Sequence, residues 1–188
     1  HYDNQSYWHS LVQVDANTYL LAYADYYNDG WLKTFTIPTD GSSITAVASL
    51  EIDDVNHMNS LVQLDADTYV NAWLSTTNGK IGTYTIPADG SSITEVTTLV
   101  HDGSSAGYNS LITIDANTVL LTYSGESTDG YLKTFAIPAD GSTITEKIVL
   151  EHDTYNSDWM SVVQVDFDTY ALAYRNSNYR GAIRTFDY

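Results

Sequence analysis

Three observations predict an all-β fold made of four copies of one small antiparallel sheet. A single line recurs as Ser-Leu-Val-Gln-Val-Asp at 10–15, Ser-Leu-Val-Gln-Leu-Asp at 60–65, Ser-Leu-Ile-Thr-Ile-Asp at 110–115 and Ser-Val-Val-Gln-Val-Asp at 161–166, spaced by 50, 50 and 51 residues. Self-similarity at such a period marks a repeat architecture. Val, Ile, Thr and Tyr dominate the recurring segments, the composition of pleated surfaces. No segment keeps a 3.6-residue apolar period over about ten residues, so no helix is expected.

Each copy reads as four strands, a to d. Strand a is the recurring line. Strand b starts at a Thr-Tyr or Thr-Val pair and ends in an aromatic residue: Tyr23, Trp73, Tyr123 or Tyr174. Strand c is Leu-Lys-Thr-Phe at 32–35, Ile-Gly-Thr-Tyr at 81–84, Leu-Lys-Thr-Phe at 132–135 and Ile-Arg-Thr-Phe at 183–186. Strand d begins at Ile44, Ile93 and Ile144; the fourth copy carries none, which makes fifteen strands. The Asp-Ala-Asn-Thr, Asp-Ala-Asp-Thr and Asp-Phe-Asp-Thr links between a and b suit Asx-type turns. Between c and d, Pro presets φ and Gly of the following Asp-Gly offers a left-handed position. In strand b, Leu20, Val70, Leu120 and Ala171 share one slot and Ala22, Ala72, Thr122 and Ala173 the next; the opposite face carries Tyr19, Leu21 and Tyr23 in the first copy. A strand apolar on both faces is covered on both sides. A four-stranded antiparallel sheet so covered, repeated at about 50 residues, is a propeller blade; a sandwich or β-solenoid is the alternative.

The line Asn-Ser-Leu-Val-Gln-Val-Asp, then Asp-Gly-Tyr-Leu-Lys-Thr-Phe, then Ile-Pro-Ala-Asp-Gly resembles β-propeller repeat proteins over essentially the whole chain. It is similar to repeats of surface or secreted proteins of marine microbes, and in size to hemopexin-like domains. The expectation is a four-bladed β-propeller of four-stranded antiparallel blades, the last blade lacking its outer strand. It forms a single domain over 1–188, with repeats at about 1–51, 52–100, 101–151 and 152–188. The Trp-Asp pair of WD40 repeats and the paired glycines of kelch repeats are absent. The Asp-Gly-Ser turns only loosely resemble the Asp-box of sialidases and lack its aromatic residue after Thr, so no sialidase site is carried over.

Charge narrows the function. Seven Lys+Arg against 24 Asp+Glu give a net charge of −17. A nucleic-acid binder needs a basic surface, as does a protein held to an anionic membrane. Neither partner is expected, and membrane insertion is not expected because the apolar runs are far shorter than the roughly 18 residues of a spanning helix. There is no Cys, hence no thiolate nucleophile, disulfide or Cys-based zinc site. The chain starts at His1 rather than Met, as a processed or excised chain does. Strong acidity fits a secreted or cell-surface protein of a marine or saline environment.

The a–b and c–d turns are short and nearly alike between copies, while the d–a and b–c loops on the opposite face vary. Variable loops on a rigid scaffold are where binding resides. Their residues are Asp, Asn, Tyr, Trp, His and Ser. Aromatic faces stack on sugar rings while Asp and Asn bond their hydroxyls. This makes a glycan or cell-surface polysaccharide the expected partner of a lectin-like recognition or adhesion module. The candidate ligand residues are Trp8, His9, Tyr26, Tyr27, Asn28, His57, Tyr108, Asn109, Tyr155, Asp158 and Trp159. Trp8, Met58, Tyr108 and Trp159 share one repeat position, two before the recurring Ser, which also fits packing between blades. The pairs His101-Asp102 and His152-Asp153 resemble a catalytic dyad, but no nucleophile stands in a motif beside them, and a loop-anchoring role fits them better. The chain is therefore expected not to be an enzyme. No cofactor is expected; Ca²⁺ is the alternative, since acidic loops around Asp25 and Glu126 offer the oxygen donors it takes, without the twelve-residue EF-hand spacing.

The alternative function is a structural subunit of an extracellular assembly or filament. An unpaired outer strand templates pairing with another chain. The self-assembly edge is then Ile183, Arg184, Phe186 and Tyr188, near a basic corner in which all three Arg (Arg175, Arg180, Arg184) gather. It leads to a homo-oligomer or polymer.

Overall fold

A computed structural model describes residues 5–188. It is all-β, with four antiparallel sheets of four, four, four and three strands. Blade 1 contains β1 (Tyr7–Asp15), β2 (Thr18–Ala24), β3 (Gly30–Thr36) and β4 (Thr45–Asp53). Blade 2 contains β5 (His57–Gln63), β6 (Thr68–Ser75), β7 (Asn78–Thr85) and β8 (Thr94–Asp102). Blade 3 contains β9 (Gly107–Asp115), β10 (Thr118–Ser124), β11 (Asp129–Ala136) and β12 (Thr145–Asn156). Blade 4 contains β13 (Asp158–Gln164), β14 (Thr169–Arg175) and β15 (Gly181–Asp187). In every blade the strands lie in chain order. The chain is thus the four-bladed arrangement with a three-stranded last blade that the repeat predicts. One 3-10 turn, Glu126–Thr128, interrupts the all-strand pattern within the loop before β11.

The turns follow their residues. After strands β3, β7 and β11 the N–H of Gly41, Gly90 and Gly141 donates to the carbonyl of Pro38, Pro87 and Pro138 at 2.8 Å. Those glycines sit at φ +66° to +67°, a region open to glycine at little cost. The Asp before each glycine accepts from the Ser after it, at 3.0 Å in all three turns. These bonds hold the three exposed carboxyls, Asp40, Asp89 and Asp140, below the usual carboxylate range. The b–c and d–a connections do meet at one end: Asn56 N–H donates to Asn28 O, and Ser157 N–H to Thr128 O. The a–b and c–d connections meet at the other, where Ile37, Ile86 and Ile137 donate to Asn17, Asp67 and Asn117.

The core is not inside the sheets but between them. Val14, Leu20 and Leu32 of blade 1 pack on Leu61, Tyr69 and Tyr84 of blade 2. Val70, Ala72 and Ile81 of blade 2 pack on Val119, Leu121 and Phe135 of blade 3. Leu120 and Leu132 of blade 3 pack on Val162, Tyr170 and Leu172 of blade 4. Polar bonds recur between the blades. The hydroxyls of Ser10, Ser60 and Ser110 accept from Leu61, Leu111 and Val162 N–H of the next blade at 2.9–3.2 Å. Thr34 and Thr83 donate to Gly90 and Gly141 of the next blade's c–d turn at 2.7 and 2.8 Å. The corresponding Thr134 is fully buried, and its hydroxyl has no partner among the described residues.

Inner strands pack in the order β1, β5, β9, β13, and nothing of like extent joins β13 to β1 among the described residues. Blades 2 and 3 are covered on both faces, as expected for every blade; blades 1 and 4 are each covered on one. Leu11 is 59 % exposed where its counterparts Leu61, Leu111 and Val162 are 4–5 % exposed. Val165 is 61 % exposed where Val14 and Leu64 are 9 % and 6 %.

Candidate functional site

The site is built from a break in each inner strand. Pairing of β1 with β2 slips between Tyr7 and Ser10, and β5 slips on β6 between His57 and Ser60. β9 slips on β10 between Gly107 and Ser110, and β13 on β14 between Asp158 and Ser161. Two residues on the inner strand oppose one on its partner, which is a bulge that re-aims a side chain. The bulged residue is Trp8, Met58, Tyr108 or Trp159, and each sits at a left-handed φ, +53° to +57°. A bulky L-residue there is strained by about 1–2 kcal/mol. The same strain at the same position of all four copies makes this a built feature.

The four bulges converge on one cavity of about 160 Å³, lined by Trp8, His9, Met58, Asn59, Tyr108, Asn109, Trp159 and Met160. Neighbouring copies touch across it. Trp8 lies against His57 with ring centroids 4.3 Å apart, and Tyr108 against Trp159 at 5.0 Å. Tyr108 N–H points at Met58 Sδ at 3.0 Å. The recurring position therefore does both things the sequence left open: it packs between blades and it faces a cavity. Asn59 Nδ2 donates to Trp8 O at 3.3 Å and Asn109 Nδ2 to Met58 O at 3.1 Å, so each amide fixes the bulge of the preceding blade. Asn109 Oδ1 keeps no partner among the described residues. Burial holds the His57 imidazole below its ordinary pKa. His9 Nε2 sits 2.9 Å from Ser6 Oγ.

Of the expected ligand residues, Trp8, His9, Tyr108, Asn109 and Trp159 come together at this cavity, and His57 backs Trp8. Met58, Asn59 and Met160 complete the lining and were not among the expected ligand residues; Met58 shared the slot of the aromatic residues and was the available signal. Tyr26, Tyr27 and Tyr155 are outside it, exposed on the rim loops, with Tyr26 and Tyr27 edge to face at 5.2 Å. Asn28 turns the b–c loop at φ +72°. Asp158 faces inward, 4 % exposed, and is ion-paired with Arg175.

The His-Asp pairs divide their work. Asp53 accepts from Trp73 Nε1 and pairs with Lys80, both at 2.8 Å. Asp102 accepts from Tyr123 Oη, and Asp153 from Tyr174 Oη, at 2.8 Å. Each Asp thus ties the end of one blade to strand b of the next. His101 and His152 are buried, and neither ring nitrogen of either has a partner among the described residues. Burial, with the nearby Lys133 and Arg184 cations, pushes their pKa values down to about 3 and about 4. Neither imidazole is oriented by its neighbouring Asp, so the two pairs are anchors and packing, not dyads.

On the presumed assembly edge, β15, Arg184 donates to His152 O and lies 3.6 Å from Asp153, and Phe186 packs against the core between blades 3 and 4. Ile183 is 75 % exposed and Tyr188 follows the strand end. Among the described residues no three His, Asp or Glu side chains gather as a metal site. Among the described residues no helix is long and apolar enough to cross a membrane.

No family model matches the sequence, and no curated protein is significantly similar to it. Solved structures of similar fold do exist. The NanB sialidase of Streptococcus pneumoniae matches at 14 % identity over 94 % of this chain and 30 % of its own, with a TM-score of 0.68. A 6-phosphogluconolactonase candidate from Bacteroides fragilis matches at 12 % identity over 91 % of this chain and 48 % of its own, TM-score 0.71. The sialidase of Trypanosoma rangeli matches at 16 % identity over 94 % and 32 %, TM-score 0.60. The chain spans 30–48 % of the length of these proteins, and the likeness is one of fold. It supports the β-propeller assignment and correspondingly corrects the expectation of a chain without enzymatic activity: the blades match those of two sialidases and a lactonase candidate, so this is a fold on which enzymes are built.

Proposed function

We propose that the chain recognises glycans through the cavity ringed by the four bulges. The observation that carries this reading is the left-handed conformation of Trp8, Met58, Tyr108 and Trp159, which turns three aromatic rings and a thioether toward one opening. Strain of this kind is retained where it positions groups for a ligand. The lining combines aromatic faces with the Asn59 and Asn109 amides, the mixture that holds a sugar ring. A cavity of about 160 Å³ takes a single ring, such as the terminal residue of a chain. Sialidases among proteins of like fold agree with a carbohydrate ligand at the level of fold. An adhesion or lectin role at a cell surface, in a saline setting that suits a net charge of −17, is the reading that follows.

The test is an array of neutral and sialylated oligosaccharides probed with the chain and its variants. Trp8→Ala and Trp159→Ala should each lower affinity for any hit at least about tenfold, since truncating a Trp at the centre of a binding site commonly costs about 2 kcal/mol or more. Tyr27→Ala, on the rim, should leave it within about twofold. Loss on Tyr27→Ala with retention in the Trp variants moves the site to the rim loops; an array with no hit removes the reading.

A further inference from the structure

The two ends of the molecule carry the two halves of an interface that the chain uses three times within itself. The open face of blade 1 presents Leu11 and Leu21, in register across β1 and β2 and followed on β3 by Lys33, with Phe35 two residues further along β3, opposite Tyr19. The counterparts of Leu11, Leu21 and Phe35 in blades 2 to 4 are buried against the preceding blade, Phe186 by half. The open face of blade 4 presents Val163, Ala171 and Thr185, likewise in register. The matching face of blade 1, with Leu20, Ala22 and Leu32, is buried against the blade that follows. We propose that the open face of blade 4 docks on the open face of blade 1 of a second copy, head to tail, continuing the blade-to-blade packing across the chain boundary.

The polar bonds of the internal interfaces have their unused members at these two ends. Within the chain, Ser10, Ser60 and Ser110 each accept from an N–H of the next blade. The next member of that series is Ser161, and the N–H in the matching place is that of Leu11 in the second copy. Within the chain, Thr34 and Thr83 donate to the c–d glycine of the next blade. Ahead of Thr185 in the same relation stands Gly41 of the second copy. Gly90 and Gly141 abut the threonines they serve, while Gly41 has nothing within 4 Å of the place its Cβ would take. Both the apolar and the polar parts of the surface therefore match a second copy, in one orientation and one register. A contact between different patches is heterologous; it closes a ring where the rotation permits and otherwise grows a filament. It uses the face of blade 4, not the backbone edge of β15.

Light scattering coupled to size exclusion, on the full chain from micromolar to millimolar concentration, tests this. Association should rise with concentration and also with salt, because two copies each carrying −17 repel until their charges are screened. Leu11→Glu and Val163→Glu, each checked for an unchanged circular dichroism spectrum and melting temperature, should each run at 20.8 kDa alone. Mixed in equal amounts they should form a species of two chains and no larger, because one intact face remains on each. Monomeric wild-type chain at millimolar concentration in high salt overturns the proposal. So does association of either variant alone, which points to the β15 edge, and so does a mixture that stays monomeric.

Discussion

His101 and His152 show how single side chains set the response of this protein to acid. Each is buried on a glycine: a Cβ on Gly79 would stand 2.7 Å from His101 Cε1, and one on Gly130 2.3 Å from His152 Cε1. Their folded pKa values of about 3 and about 4 lie below the ordinary 6.5. The unfolded chain therefore binds protons at these positions below pH 6.5 that the folded chain refuses. Stability is full above that pH and falls as the pH drops from 6.5 toward 4, at about 1.4 kcal/mol per pH unit for each imidazole. Asp53 and Asp102, held low against the desolvation they suffer by Lys80, Trp73, Ser104 and Tyr123, add to the loss at lower pH. Urea melts at pH 7, 6 and 5 should show this slope, and His152→Gln should reduce it by about half between pH 6.5 and 4.5; an unchanged slope would place the effect elsewhere. Gly130→Ala should destabilise by several kcal/mol, because a methyl group there meets the buried ring and Ser157 Oγ rather than open space.

At the scale of the element, the inner strand is a compromise between pairing and display. Its bulge gives up ladder bonds and holds a bulky residue at φ near +54°. Trp159→Gly should therefore raise the stability of blade 4 by about 1 kcal/mol or leave it unchanged while abolishing ligand binding; a thermal melt beside a binding assay separates the two effects. The Ser that follows each bulge ties the blades. Ser60→Ala leaves Leu111 N–H without its acceptor and should lower stability by about 1–3 kcal/mol in chemical denaturation. Much of this level was legible beforehand. The Pro-Asp-Gly turns were, because only a few residues suit those dihedrals, and so was the alternation that sets which residues share a face. The bulge was not, since Trp, Met and Tyr carry no preference for left-handed φ; its one trace was a large residue two positions before each recurring Ser. The burial of Asp158 by Arg175 was hidden for a similar reason, because an ion pair between strands leaves no local pattern.

At the scale of the whole molecule, four sheets stand together through three interfaces, and stability is a sum over neighbours, as in other repeat proteins. Repeat number and strand count were legible from the 50-residue period. The open outer faces of blades 1 and 4 were not, because end repeats with the same residues as internal ones give no sign of what covers them. Exposure of Leu11, Val163 and Val165 revealed it. Binding of a sugar ring by the bulged residues can be read directly from the four tryptophans. In a ¹H–¹⁵N spectrum the four indole N–H signals are separate reporters. Trp8 and Trp159 line the cavity, whereas Trp73 is buried on Asp53 and Trp31 lies in strand β3. On titration with an oligosaccharide found on the array, the Trp8 and Trp159 signals should shift while those of Trp31 and Trp73 stay in place. Saturable binding that leaves both cavity signals unmoved would contradict this reading.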